Sequence, residues 1–120
     1  MSNISYSGQN NIQEVIAVSN GLFTCSPGFP FLSPLIPTIG WMEIYGLVYA
    51  AGNVNVLIKQ GIVDDTGFAA YRDTVTTPVG GGTSARFSQA LPAKYVQVEI
   101  VDASGLGTGG EVFFALRAYA

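Results

Sequence analysis

The sequence predicts an all-β protein: a single antiparallel β-sandwich of about eight strands, jelly-roll-like, with an Ig-like sandwich as the runner-up. Three observations carry this. Apolar and polar residues alternate with period two in the runs around Val54–Gln60, Lys94–Asp102 and Glu111–Tyr119, the pattern of half-buried strands. Turn signals recur at the short intervals typical of sandwiches and barrels. No segment keeps a helical period; even Phe68–Asp73, whose alanines tolerate a helix, leads into β-branched residues. Eight antiparallel strands in two sheets is the jelly-roll number. The Ig pattern of Cys, Trp and a second Cys is missing.

Residues 1–12 are polar and without period, and read as a flexible arm before a single domain spanning 13–120. Gln13–Val18 and Leu22–Cys25 read as a hairpin about Ser19-Asn20-Gly21. Ser26–Gly40 is apolar and uncharged, and carries Pro27, Pro30, Pro34 and Pro37. Prolines at this spacing exclude a regular helix and a central strand, so an extended crossover is expected. Trp41–Tyr49 and Asn53–Gln60 are strands either side of a short turn. In the second, Val54, Val56 and Ile58 point one way and Asn55, Leu57 and Lys59 the other. Phe68–Val75 follows the turn Asp64-Asp65-Thr66-Gly67, and Thr77–Thr83 is a glycine-rich loop. Ser84–Gln89 is a short strand. In Lys94–Asp102, Val96, Val98 and Ile100 face the core. Ala103–Gly110 is a loop, and Glu111–Tyr119 is the last strand, with Val112, Phe114 and Leu116 inward and Glu111, Phe113 and Arg117 outward.

Composition narrows the function. Charged residues make up 11%, against about 25% in an average soluble domain. Hydrophobic residues reach 48%, with a mean hydropathy of +0.37. A small domain exposes much of its surface, so part of this apolar surface is expected to be covered by other subunits. A net charge of −3, with Lys59, Arg72, Arg86, Lys94 and Arg117 as the whole basic set, excludes a nucleic-acid stripe. The prolines exclude a membrane helix in the longest uncharged stretch. The polar first residues do not read as a signal peptide. One cysteine, Cys25, excludes an intrachain disulfide and is expected to be a small buried hydrophobe.

Reaction chemistry is not expected. The chain has no histidine, and no Ser, Cys or Lys nucleophile with an identifiable base. Asp64, Asp65, Asp73 and Asp102 lack the spacing of a calcium loop. Glu43, Glu99 and Glu111 stand on separate strands, which does not by itself make a glycosidase pair. No cofactor or metal is expected. The candidate functional residues are apolar and belong to an interface: Phe29, Phe31, Leu32, Leu35 and Ile36 in the proline-rich segment, and Trp41, Tyr45 and Tyr49 on the following strand. The first set either caps its own sandwich or packs on a neighbour. The second shares one parity, which would align three rings on one face; such a row also suits stacking on sugar rings.

From Gly46 to Ala118 the order of features resembles small β-sandwich modules in structural proteins of double-stranded DNA bacteriophages. A strand ending in Gln60 leads to an acidic turn at Asp64-Asp65-Thr66-Gly67 and then to the aromatics Phe68 and Tyr71. A Thr/Val strand, a glycine-rich loop and the Lys94-Tyr95-Val96-Gln97-Val98 strand follow. Here Gly61 stands where the pattern has Ser, Ile62 and Val63 precede the acidic turn, and Gln97 replaces a frequent Arg. The resemblance implies a capsid decoration or cementing subunit, a homotrimer bound to a major capsid protein on the virion surface and made in the host cytoplasm. The alternative is a carbohydrate-binding module of a phage tail or receptor-binding protein.

Overall fold

A computed structural model describes residues 12–61 and 71–119. Among them are nine strands: β1 (Ile12–Cys25), β2 (Phe31–Leu32), β3 (Ile36–Pro37), β4 (Glu43–Ala50), β5 (Val54–Gly61), β6 (Tyr71–Val79), β7 (Thr83–Ala90), β8 (Tyr95–Asp102) and β9 (Thr108–Tyr119). They form two antiparallel sheets, β1-β9-β4-β7 and β2-β8-β5-β6, with β3 also paired to β8. With β2 and β3 taken as one interrupted strand, this is the eight-strand, two-sheet order of a jelly roll.

The strand alternation reads as the sequence predicts. Val54, Val56 and Ile58 of β5 and Val96, Val98 and Ile100 of β8 are buried. They face Ile44 and Val48 of β4 and Val112, Phe114 and Leu116 of β9 across the sandwich, and all belong to one core cluster. Burying each such side chain stabilises by about 1.5–3 kcal/mol.

Several boundaries differ from expectation. The hairpin about Ser19-Asn20-Gly21 does not form; β1 is continuous, and these residues pair with Phe114, Phe113 and Val112 of β9. A long partner strand outweighs local turn propensity, and the misfit is absorbed by a bulge between Ala17 and Ser19. Trp41 stands before β4, which begins at Glu43. The strand expected to end at Val75 continues to Val79 and includes Pro78, because β6 is an edge strand, where proline leaves no ladder bond unmade. The Asp64–Gly67 turn and residues 1–11 of the arm expected at 1–12 lie outside the described residues, and Ile12 already belongs to β1.

The proline-rich segment runs along the edge of the second sheet. Phe31 and Leu32 pair with Ile100 and Glu99, and Ile36 and Pro37 with Val96 and Tyr95. Ser33–Leu35 thus stand opposite only Gln97 and Val98, a bulge at Pro34. Ser33 N–H donates to Val98 O (2.9 Å), and its hydroxyl accepts from Val98 N–H (2.9 Å). Thr38 N–H donates to Lys94 O (2.8 Å). With those donors turned toward β8, Pro34 and Pro37 fall where an edge strand would present N–H groups outward.

Gly46 shows how tightly β4 is packed. A Cβ there would lie 2.6 Å from Phe87 Cζ and 2.8 Å from Phe114 Cβ, and would also meet the Phe113 carbonyl oxygen. The glycine makes room for two aromatic rings between the sheets. Gly46→Ala is therefore expected to cost about 3 kcal/mol; chemical denaturation of the variant measures it, and a loss within experimental error would refute this packing.

Candidate assembly surface

The β1-β9-β4-β7 sheet has one face in the core and one outside. Along β4, Ile44, Gly46, Val48 and Ala50 are buried, so Glu43, Tyr45, Leu47 and Tyr49 point outward. Their neighbours on β9 are Arg117, Ala115, Phe113 and Glu111, and on β7 Ala90, Ser88, Arg86 and Ser84. The outer face is thus apolar along its middle. Leu47 is 47% and Tyr49 41% exposed, and Leu22 on the neighbouring β1 reaches 81%. Gly21, Leu22, Leu47, Tyr49, Glu111 and Phe113 line a shallow groove of about 210 Å³.

One end of this face is organised by charge. The Arg117 guanidinium lies 4.2 Å above the Tyr45 ring and 3.3 Å from the Glu43 carboxylate. A cation over an aromatic face is favourable, and the contact holds Tyr45 down. Tyr45 also meets Phe113 edge-on, with ring centroids 6.2 Å apart.

The expected interface residues divide. Phe31, Ile36 and Trp41 are partly buried and pack against the core of their own sandwich; Phe31 lies 6.0 Å from the Phe23 ring. Leu35 is half-buried, whereas Phe29 and Leu32 are 75% and 50% exposed. The proline-rich segment therefore closes the sandwich with alternate residues and shows the others to solvent. Trp41 does not join a row with Tyr45 and Tyr49, since it precedes β4 and packs on the core. The side chain between the two tyrosines on the outer face is Leu47. Leu47 and Phe113 were legible from parity, each at i±2 from an outward residue, but are eclipsed in the sequence by the more conspicuous tyrosines.

The charged and nucleophilic groups are spread apart. Glu99 of β8 pairs with Lys59 of the adjacent β5 (2.8 Å), within the β2-β8-β5-β6 sheet. Glu43 and Glu111 lie six positions apart along β4, by register with Arg117 and Tyr49, about 20 Å at strand rise. No cluster of metal-ligating side chains occurs among the described residues. Cys25 is buried in the core, and burial, with the nearby Asp102 charge, pushes its thiol pKa up. Gln60, also buried, donates from Nε2 to Ala90 O (2.9 Å), which ties β5 to the opposite sheet. Asp102 caps the β8–β9 loop. It accepts from the Ser104 hydroxyl (2.6 Å), Ser104 N–H (2.9 Å) and Gly107 N–H (2.9 Å). The Ser104 hydroxyl, which outweighs the opposing desolvation, holds its carboxyl below the ordinary value, and the backbone donors add to this.

The fold is that of a jelly-roll domain with an apolar strip exposed on the outer face of one sheet. No family model and no curated protein matches the chain. A solved structure described as "Bacillus endospore appendages form a novel family of disulfide-linked pili" is similar over 98% of this chain and 97% of that one, with a TM-score of 0.55 and 16% identity. At that identity the likeness is one of fold. It is a likeness to a structural, all-β protein of a pilus.

Two predictions follow from the side-chain placement. Phe31→Ser is expected to destabilise the fold by about 2 kcal/mol, whereas Leu32→Ser stays within about 0.5 kcal/mol of wild type; urea midpoints compare them directly. Asp102 has a depressed folded-state pKa, so its stabilising effect is full above the unfolded value of 3.8 and is lost as pH falls through the folded value. Asp102→Asn should therefore flatten the acid limb of melting temperature against pH below about 4, and an unchanged limb would remove Asp102 from the loop's stability.

Proposed function

We propose that this chain is a structural subunit that assembles with copies of itself into an extracellular or virion-surface structure, through non-covalent contacts. The observation that carries this is the exposure of Leu22, Phe29, Leu32, Ile39, Met42, Leu47, Tyr49 and Leu106 on a chain with only 11% charged residues. Exposed apolar surface of this extent marks an interface rather than a solvated monomer. The shared fold with a protein that forms disulfide-linked pili supports an assembling role. The linkage itself does not carry over. With one cysteine in these 120 residues, a disulfide could join a subunit to one neighbour, not two, and that cysteine is buried. In this reading the subunit has no enzymatic activity.

Capsid decoration is a narrower form of the same proposal, favoured by the Gln60-to-Tyr71 and Lys94–Val98 pattern. It would make the assembly a homotrimer seated on a major capsid protein. Carbohydrate binding loses its main support, because Trp41 leaves the row of rings.

Light scattering and electron microscopy of the purified chain test the proposal. The expected result is a concentration-dependent assembly whose size is unchanged by a reducing agent. An open polymer favours an appendage, and a closed trimer favours decoration. A monomer at all accessible concentrations would overturn self-assembly, and an assembly dissolved by reductant would overturn its non-covalent character.

A further inference from the structure

We propose that the outer face of the β1-β9-β4-β7 sheet is a two-fold interface with a second copy of this chain, centred on Leu47 and Tyr49 and closed by reciprocal Arg86–Glu111 ion pairs. The proposal rests on the self-assembly reading and names one surface of it; a two-fold contact closes at a dimer, so any larger assembly uses a further surface as well.

The first support is the arrangement of charge. Arg86 lies across from Leu47 on β7, and Glu111 lies across from Tyr49 on β9. Both are exposed, and among the described residues neither takes part in an ion pair. Their charges sit on opposite flanks of the apolar strip. By strand spacing and rise their Cα atoms are about 12 Å apart, and the register centres that line on β4 at Val48, between Leu47 and Tyr49. A dyad lying in the interface plane above this point sets Arg86 of each copy over Glu111 of the other. It also brings the two Leu47–Tyr49 strips together. An isologous interface requires this self-complementarity. The remaining charged pair on β4 and β9, Glu43 with Arg117, is satisfied within its own subunit.

The second support is size and chemistry. Four strands, with the eight residues of β4 as their length, give a face of about 500 Å² in projection at ordinary strand spacing and rise. Side-chain relief brings this toward the roughly 800 Å² per partner of a stable interface. An apolar centre of Leu, Tyr and Phe with charge at the rim is the composition such interfaces have. A sugar would need several convergent polar groups around the rings; Glu111 and Tyr49 are the two polar side chains of the groove, which is otherwise lined by Gly21, Leu22, Leu47, Val112 and Phe113.

Sedimentation of Arg86→Glu, Glu111→Arg and Leu47→Glu at about 50 mM salt, where exposed charges are weakly screened, tests the proposal, with circular dichroism confirming the fold of each. Each single charge reversal places like charges opposite one another twice per dimer, so its self-association should weaken at least about tenfold. An equimolar mixture of the two reversal variants should associate again, as a heterodimer, because one copy then carries both anions and the other both cations. Leu47→Glu should abolish association in every combination. If wild type associates and the reversal variants associate equally well, this face is not the interface and the self-assembly reading stands on another surface. If wild type stays monomeric, both fall. A monomeric wild type whose Tyr49 and Phe113 resonances shift on adding an oligosaccharide would give the face to a carbohydrate.

Discussion

The alternation of two neighbouring strands, β4 and β9, is the constraint on which the rest of the molecule depends. A strand sends successive side chains to opposite faces. In β4 and β9 both sets are largely apolar, with Ile44, Val48, Val112, Phe114 and Leu116 on one side and Tyr45, Leu47, Tyr49 and Phe113 on the other. The opposite sheet covers only the first set. The same register that builds the core therefore leaves an apolar outer surface, and no shift of register would help. Slipping either strand by one residue exchanges one apolar face for the other.

That surface is held in one arrangement by its surroundings. Gly46 brings Phe87 and Phe114 into close packing beneath it, so β4 has little freedom to flex. Arg117 covers one end of the outer face by lying on Tyr45 and reaching Glu43. The other end, toward Leu22, Leu47 and Tyr49, has no such cover among the described residues. Charge thus covers half of the strip from within the subunit and leaves the other half open. Gln60 bridges the sheets, Asp102 fixes a loop, and Cys25 fills space.

Much of the fold was legible because β5, β8 and β9 alternate cleanly and lie well inside sheets. Their inward residues in the structure are those that parity predicts. The losses came where local and tertiary preferences conflict. Ser19-Asn20-Gly21 has turn chemistry, but pairing with Phe114, Phe113 and Val112 outweighs it. Pro78 reads as the start of a loop, yet an edge strand tolerates it. Trp41 fits the parity of β4 by count alone, and a turn closed by Trp41 N–H to Thr38 O (2.9 Å) breaks the count before the strand begins. For the surface, sequence identified the right strand but weighted aromatic rings over Leu47. Which of two apolar parities faces out is decided by the second sheet, and a single strand does not contain that information.

The interrupted β2–β3 edge bears on the tendency of so apolar a chain to aggregate. Open sheet edges are templates for indiscriminate strand addition, the first step toward amyloid-like aggregates. Pro34 and Pro37 fall on the solvent side of this edge, and the bulge at Ser33–Leu35 breaks its straight run. Pro78 stands in β6, at the opposite edge of the same sheet. An incoming strand would find missing donors and a broken repeat at one edge and a proline at the other. Growth by this sheet into uncontrolled fibrils is thereby disfavoured.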